Sequence, residues 1–159
     1  TLIGVDNSTA MIERCQHNIA ADLSPSQVEL RCEDIQDTPL ENASLVALNF
    51  TLQFLPPEQR DAMIGRIAHG LNPGGALVLS EKICFADGEK QNLLTELHHE
   101  FKRLNGYSDL EISQKRQAIE NVLIPETAEQ HCQRLLQNGF TQVHCWFQCF
   151  SFASFVAVK

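Results

Sequence analysis

The chain has 159 residues, of which 43% are apolar and 20% charged, a balance that is typical of one globular domain and argues against disorder. Its 20 acidic residues outnumber 12 basic ones, which gives a formal charge of -8, and no cluster of lysines and arginines interrupts this balance. We therefore expect no direct binding of nucleic acid, because gripping a phosphate backbone needs concentrated positive charge. No apolar run approaches the length of a membrane span, so we expect no membrane partner.

The first predicted elements alternate between strand and helix, which indicates an α/β fold with a mostly parallel sheet. In chain order they are a strand at 2–5, a helix capped by Ser8 or Thr9 and running toward Leu23, a turn at 24–27, a strand at 28–32, and a strand at 43–50. The last of these is nearly all apolar, so we expect it to be buried on both faces.

The second half begins with a helix whose first turn contains Pro56 and Pro57. After it, Gly74 and Gly75 predict a tight turn before a strand at 76–80. The following elements are two amphipathic helices between about 89 and 123, a helix opened by Pro125 and closed by Gly139, and two final strands, QVHCWFQCF and SFASFVAVK. We interpret the two amphipathic helices as an insertion over the carboxyl ends of the strands, where open α/β sheets bind ligands. The final strands are too close for a crossover helix and are expected to pair antiparallel.

Six cysteines are spread along the chain without a Cys-x-x-Cys pair. Cys145 and Cys149 lie four residues apart in a predicted strand, which places their Cα atoms about 13 Å apart, too far for a disulfide. We predict buried free thiols and a reducing, cytoplasmic environment rather than a redox or metal site.

Two acids follow predicted strands and are candidates for binding a nucleoside cofactor. Asp6 precedes a helix N-terminus, where its carboxylate would face a cofactor cleft and accept hydrogen bonds from ribose hydroxyls. The alternative is that Asp6 only caps that helix, and one strand-end acid does not decide between them. Asp34 favours cofactor binding, because it also ends a strand and is followed by Ile35. The Asp34 carboxylate is suited to an adenine amino group, and the Ile35 side chain is suited to packing on the adenine ring.

Two further polar residues stand out in apolar surroundings. Asn49 lies in the run LVALNFTLQF, where a buried amide needs partners, and we favour a ligand over a local backbone bond. Arg116 lies between Ile112 and Ile119 on a predicted helix, and its spacing alone favours a solvated surface position. The adjacent His98 and His99 form no metal motif and no G-x-S-x-G sequence occurs, so we assign no metal ligand and no catalytic residue.

The predicted sheet, mostly parallel and ending in an antiparallel hairpin, resembles the Rossmann-like class I S-adenosylmethionine-dependent methyltransferase fold. Several segments resemble more narrowly the carboxy-S-adenosyl-L-methionine synthase family of that superfamily, and this resemblance covers the whole chain. They are IGVDNSTAMIERC, CEDI, ENASLVALNFTLQFL, LNPGGALVLSEK, HHEFKRLNGYSDLEISQKR and CWFQCFSFASFVAVK. The motifs DNS-x-AMIERC and NGYS-x-LEISQKR are specific to the family, whereas NPGG and a strand-end Asp occur across methyltransferases.

The resemblance implies an enzyme that uses prephenate to convert the methyl group of S-adenosyl-L-methionine into carboxymethyl, with release of phenylpyruvate. By matching position, Asp6 and Asn7 would bind the ribose, Asp34 and Ile35 the adenine, and Asn49 the methionine portion. Arg116 would pair with the new carboxylate, which reverses the interpretation from spacing alone. The resemblance also implies a homodimer, and a partner enzyme that uses carboxy-S-adenosyl-L-methionine to modify wobble uridine in tRNA. The group that removes the methyl proton stays open: no side chain stands out, and prephenate or its leaving hydroxide are alternatives.

The family's first strand, glycine-rich loop and an aromatic cofactor contact have no counterpart in the 159 residues. We therefore expect a domain truncated at its amino end, whose sheet is interrupted between the strand ending at Asp6 and the strand containing Asn49. These residues alone are expected to bind the cofactor weakly or not at all, which calorimetric titration tests. The alternatives for function are a conventional methyltransferase and a catalytically inactive module that binds the cofactor.

Overall fold

The computed structural model describes residues 1–22, 26–120 and 122–159, without the side chains of residues 119 and 120. Half of the predicted turn at 24–27, together with the predicted helix end at Leu23, lies outside these residues. The chain divides into two compact units, Thr1–Pro39 and Leu40–Lys159, which are taken in turn.

The first unit contains two strands, β1 (Leu2–Asp6) and β2 (Val28–Cys32), and between them the helix α1 (Thr9–Ala21). The strands pair in parallel, from Leu2 opposite Val28 to Asp6 opposite Cys32. Ser8 caps α1, because its backbone is extended and its hydroxyl accepts a hydrogen bond from the Met11 N–H. The predicted strand–helix–strand order and one of the two predicted caps are therefore confirmed.

The second unit contains a sheet with the strand order β3–β4–β6–β5. Its elements are β3 (Ala43–Asn49), a short 3-10 helix (Leu52–Phe54), α2 (Pro57–Gly70), β4 (Leu71–Lys82), α3 (Gly88–Leu104), α4 (Asp109–Glu120), α5 (Ala128–Gln137), β5 (Gln142–Cys149) and β6 (Phe152–Val158). β3 and β4 are parallel, whereas β6 runs antiparallel to both β4 and β5. The mixed α/β architecture, the two helices before residue 123 and the antiparallel terminal hairpin are as predicted.

Over the described residues, β1 and β2 form one sheet and β3 belongs to another. β3 is hydrogen-bonded to β4 alone, so one of its edges carries no strand from this part of the chain. That the sheet is interrupted between the strand ending at Asp6 and the strand containing Asn49 by a missing strand stays a prediction.

The connection from α2 to β4 differs from the predicted tight turn. The chain enters β4 directly at Leu71, one residue after α2 ends, and Gly74 lies within the strand with a φ of +75°. The pairing of β3 with β4 shifts register between Ala43 and Leu45, which accommodates the extra residues of β4. A Cβ on Gly75 would lie 2.8 Å from the Asn72 carbonyl oxygen, so the irregular backbone requires glycine here.

Three further predictions are wrong in detail. β3 is not buried on both faces: Leu45 is 62% exposed, and over the described residues β3 pairs with β4 alone. The six cysteines are free, as expected, but none is buried: three are exposed and three are half-buried. The helix α5 begins after Thr127 rather than at Pro125, since Thr127 and Gln130 form a capping box with reciprocal hydrogen bonds.

The hydrophobic core lies in the second unit, around the central strands β4 and β6. The apolar side chains that are at most 1% exposed come from the 3-10 helix, α2, β4, α5, β6 and the segment after β4; they are Leu52, Ile64, Ile67, Leu77, Leu79, Ile83, Leu135, Phe155 and Ala157. This core holds the carboxyl ends of β3 and β4 in place, where ligands of open α/β sheets bind.

Candidate cofactor site

The first group of predicted site residues lies at the carboxyl ends of β1 and β2. Because Asp6 is opposite Cys32 in a parallel ladder, Asp6 and the segment that holds Asp34 follow neighbouring strands at the same edge. Asp6 Oδ1 accepts a hydrogen bond from the Ser8 N–H at 2.8 Å, and Asp34 Oδ1 accepts one from the Gln36 N–H at 2.8 Å. Each carboxylate is thus oriented by the backbone two residues further along the chain.

The helix cap is Ser8 and not Asp6, which removes the alternative that Asp6 acts only as the cap of α1. Asp6 instead orients the residue that does the capping. Its neighbour Asn7 is exposed, whereas Asp6, Asp34 and Ile35 are half-buried. The four residues form a partly accessible polar edge with one apolar member, and their contacts with a nucleoside stay a prediction.

Asn49 lies at the carboxyl end of β3, opposite Ser80 of β4. The predicted burial of its amide is wrong: Asn49 is exposed, at the end of a strand that pairs with β4 alone among the described residues. An exposed amide does not need a partner within the protein, so burial no longer supports a ligand there. The assignment of Asn49 to the methionine portion of the cofactor stays a prediction from the resemblance.

A buried carboxylate anchors the segment directly after Asn49. Glu81 is fully buried, and its two oxygens accept hydrogen bonds from three successive backbone N–H groups at 2.9–3.2 Å; the donors are Thr51, Leu52 and Gln53. Burial raises the pKa of the Glu81 carboxyl to about 7, although these donors and the charge of Arg60 oppose that shift. Phe50 begins the segment with a φ of +56°, a strained conformation that the surrounding contacts maintain.

A second buried polar group links this segment to the start of α5. Arg60 of α2 is fully buried and donates to the carbonyl oxygens of Gln53, Leu55 and Ile124. Its guanidinium also pairs with Glu126 at 2.7 Å, and Arg134 binds the two oxygens of that carboxylate. The segment after β3 is therefore held on one side by Glu81 and on the other by Arg60.

Sequence reasoning missed both Glu81 and Arg60, although each left a signal. Glu81 is in phase with Leu77 and Leu79, which alternate along β4 and are buried. Arg60 lies four residues before the buried Ile64 on α2, and so on its apolar face. A charged residue at a core position of a strand or helix indicates a buried polar network.

Arg116 lies on α4, and its side chain is exposed and engaged in an interaction. Ile112, one turn earlier, is 6% exposed and packs inward. The predicted helix is therefore present with one buried apolar side chain, whereas Leu110 is 65% exposed. The role of Arg116 toward a carboxylate stays a prediction.

An aromatic cluster connects α3 to the ends of the strands. The His98 ring stacks on Phe150 at 5.4 Å between centroids and meets the edge of Phe152 at 5.1 Å. Phe50, after β3, makes an edge contact with Phe152 at 5.8 Å. Burial, and to a smaller extent the charges of Lys102, His99 and Lys82, lower the pKa of His98 to about 4. His98 is therefore neutral at physiological pH.

Two negative findings apply to the described ranges only. Among those residues, no group of three or more His, Cys, Asp or Glu side chains is arranged to hold a metal ion. No helix within the same ranges combines the length and the apolar character that crossing a bilayer requires.

The chain is similar in sequence to a known protein family and to several curated proteins. The family described as methyltransferase domain matches residues 1–75. Carboxy-S-adenosyl-L-methionine synthases from Shewanella sp. (strain ANA-3) and Marinobacter nauticus are 61% and 62% identical, over 99% and 100% of this chain and 65% and 64% of their own lengths. The synthase from Hahella chejuensis is 58% identical over 99% of the chain. The chain thus spans about 65% of the length of the curated relatives that it matches.

Solved structures support the same fold at low sequence identity. Magnesium protoporphyrin IX methyltransferase from Synechocystis, with bound SAH, matches 99% of the chain and 63% of its own length, with a TM-score of 0.64 and 17% identity. The apo form of the S-adenosylmethionine-dependent methyltransferase SibL matches 99% of the chain and 42% of its own length, with a TM-score of 0.65 and 14% identity. The predicted class I methyltransferase fold is confirmed.

Proposed function

We propose, from the premise that this chain is a homologue of the carboxy-S-adenosyl-L-methionine synthases, that the full-length protein makes carboxy-S-adenosyl-L-methionine from S-adenosyl-L-methionine and prephenate. The observation that carries the proposal is identity of about 60% maintained over 99% of the chain, including the helices α3 and α4. Solved structures named as other methyltransferases, at 13–17% identity, support the fold alone.

In this proposal, the strand ends of the first unit bind the nucleoside part of the cofactor. Asp6 and Asn7 bind the ribose, and Asp34 and Ile35 bind the adenine. Asn49 binds the methionine portion. The oriented carboxylates of Asp6 and Asp34 support the first two assignments, because an oriented anion loses little entropy when it accepts a hydroxyl or amino proton.

Arg116 is proposed to recognise the carboxylate that distinguishes the product from S-adenosyl-L-methionine. A planar guanidinium binds a carboxylate through two parallel hydrogen bonds, whereas a plain methyl sulfonium offers it no acceptor. The exposed position of Arg116 on α4 leaves its side chain accessible to a ligand.

The proposed reaction balances without an external oxidant or reductant. The sulfonium methyl loses a proton and gains carbon dioxide from prephenate, while prephenate loses hydroxide and becomes phenylpyruvate. The proton and hydroxide form water. No side chain of this chain is assigned as the base, and the leaving hydroxide is an available acceptor for the proton.

Three finer proposals accompany this activity. A homodimer is supported by the edge strand β5, where Trp146 and Phe147 are 64% and 54% exposed, since large exposed aromatic side chains are typical of interfaces. Six free cysteines support a reducing, cytoplasmic location. The product is proposed to supply carboxymethyl groups for wobble uridine in tRNA, through a partner enzyme rather than through direct RNA binding, given the charge of -8.

The direct test is to incubate the full-length protein with both substrates and analyse the nucleoside by mass spectrometry. We expect a gain equal to the mass of carbon dioxide and equimolar phenylpyruvate. A methylated acceptor in place of these products would identify a conventional methyltransferase, and binding without turnover would identify an inactive module.

The substitution Arg116→Met tests whether this side chain distinguishes carboxy-S-adenosyl-L-methionine from S-adenosyl-L-methionine. We expect affinity for carboxy-S-adenosyl-L-methionine to fall about 10- to 100-fold, because a charge-assisted hydrogen bond contributes about 1.5–3 kcal/mol, with little change for S-adenosyl-L-methionine. Titration calorimetry measures both, and Arg14→Met, at an exposed arginine of α1, is the matched control. Equal losses for both cofactors would refute this role.

A further inference from the structure

Three lysines surround the aromatic cluster of the second unit. Lys82 is the last residue of β4 and lies opposite Phe152 in the sheet. Lys102 is one helical turn after His98 on α3, and Lys115 lies on α4, which packs against α3. Since the His98 ring contacts Phe152, the lysines of β4 and α3 flank the same group of rings.

Among the described residues, no carboxylate forms an ion pair with these lysines within 4.0 Å, and what sets the three apart is that they lie close enough for Lys82 and Lys115 to act on the charge of Lys102. Arg103, the neighbour of Lys102, pairs with both Glu100 and Asp109 at 2.7 and 2.8 Å. Burial lowers the pKa of Lys102, and the positive charges of Lys115 and Lys82 lower it further. In a chain with a formal charge of -8, the ammonium groups of Lys82 and Lys115 thus repel that of Lys102, and no ion pair within the described part of the chain offsets this repulsion.

The rings beside the lysines form a surface suited to a flat apolar group. Phe50 and Phe150 both have φ values in the left-handed region, +56° and +51°, which a phenylalanine adopts only where its surroundings impose it. Both rings contact others of the cluster: Phe50 meets Phe152, and Phe150 meets His98 and Phe101. His98 is neutral at physiological pH because of its lowered pKa and adds no further positive charge. The cluster therefore combines strained aromatic walls with unpaired cations.

We propose that Lys82 and Lys102, with Lys115 at the rim and the rings of Phe50, His98, Phe150 and Phe152, form the subsite for the carboxyl donor. The ligand class is a cyclic organic acid: the ring packs on the aromatic side chains and the carboxylate pairs with the ammonium groups. This inference rests on the proposed function and deepens it, because it assigns residues of this chain to the second substrate. The lysines are positioning residues, since they hold the donor and do not take part in bond making.

Steady-state kinetics of the full-length protein test the assignment. For Lys82→Met and Lys102→Met we expect the KM for prephenate to rise about tenfold or more, with the KM for S-adenosyl-L-methionine and the melting temperature unchanged. Lys102→Arg, which keeps the charge, is expected to recover most of the loss. The matched control is Lys90→Met on the same helix, whose ammonium lies over the Phe85 ring at 4.4 Å. Equal KM changes for both substrates, or none, would overturn the proposal.

A binding measurement makes this inference independent of turnover. Calorimetric titration with phenylpyruvate is expected to show binding to the wild type that weakens about tenfold or more in Lys82→Met and Lys102→Met, and no binding of phenylacetone, which lacks the carboxylate. If the wild type makes no carboxy-S-adenosyl-L-methionine but this pattern appears, the proposed function fails and the subsite stands. Phenylpyruvate that does not bind, or that binds wild type and variants equally, overturns the subsite. Lys115→Met, at an exposed position, repeats the test without altering buried packing.

Discussion

The two units hold their candidate site residues by different means. In Thr1–Pro39, Asp6 and Asp34 are oriented by N–H groups two residues away in the sequence. In Leu40–Lys159, the segment after Asn49 is held by Glu81, some 28 to 30 residues away, and by Arg60, which also reaches Ile124 across 64 residues. Local contacts place the first group, and contacts between distant segments place the second.

This difference has a consequence for how each unit responds to mutation. The first unit buries few side chains, and Leu2 and Ile3 of β1 are 60% and 51% exposed. The second unit encloses Arg60, Glu81 and His131 among apolar side chains, with each at most 1% exposed. Substitutions in the first unit should therefore act mainly on ligand binding, and substitutions in the second mainly on folding.

The largest expected effect is that of Arg60→Ala in the second unit. It removes four interactions and leaves Glu126 buried with one fewer cation, so we expect a loss of about 3–5 kcal/mol in the free energy of unfolding. Urea denaturation measures it. The control Arg14→Ala, at an exposed position of α1, should change stability by no more than about 0.5 kcal/mol. Similar effects at both positions would abolish the contrast between the units.

Asp6→Ala tests the opposite behaviour in the first unit. We expect affinity of the full-length protein for S-adenosyl-L-methionine to fall about 10- to 100-fold, through loss of charge-assisted hydrogen bonds, while the free energy of unfolding changes by less than about 1 kcal/mol. Titration calorimetry and urea denaturation give the two quantities. Asp37→Ala, an exposed acid in the same unit, should leave the affinity unchanged. A large stability loss with intact affinity would make Asp6 a structural residue.

His131 gives a pH-dependent test of the second unit. Its ring nitrogens have no hydrogen-bond partner among the described residues, and burial lowers its pKa to about 4. In the unfolded chain the pKa of the His131 imidazole is near 6.5. Between pH 6.5 and pH 4 this imidazole is therefore protonated more in the unfolded state than in the folded state. The free energy of unfolding falls as pH is lowered through this range. At pH 5 the loss in the free energy of unfolding is about 2 kcal/mol, and His131→Leu should abolish this loss.

The measurement is urea denaturation of wild type and His131→Leu at pH 5 and pH 7. Comparing the two proteins isolates His131, because the other shifted groups are common to both. Glu81, with a pKa of about 7 in the folded protein, acts in the opposite direction. As pH rises from 4.5 to 7, its carboxyl group loses its proton in the unfolded state before it does so in the folded state, so the free energy of unfolding falls. An identical pH dependence in the two proteins would contradict the assignment to His131.

The smallest expected effect compares the helix caps of the two units. Ser8 makes one cap bond, at 3.4 Å, whereas Thr127 takes part in a capping box with bonds of 2.8 and 3.2 Å. We expect Ser8→Ala to cost about 0.5–1 kcal/mol and Thr127→Ala about 1–2 kcal/mol, as measured by thermal unfolding. A greater loss at Ser8 would show that the first unit depends on its local bonds for folding as well.

The sequence by itself determined the order of the elements and limited the cap of α1 to Ser8 or Thr9, because hydrophobic period and capping chemistry act over a few residues. The methyltransferase fold class followed from the resemblance of its segments to a known family. Only the tertiary structure decided that Asn49 is exposed and that Leu71 continues straight from α2 into β4. It alone showed that Glu81 and Arg60 hold the segment after β3. Burial and pairing of a side chain depend on which distant segment covers it, and spacing along one strand or helix carries no information about that segment.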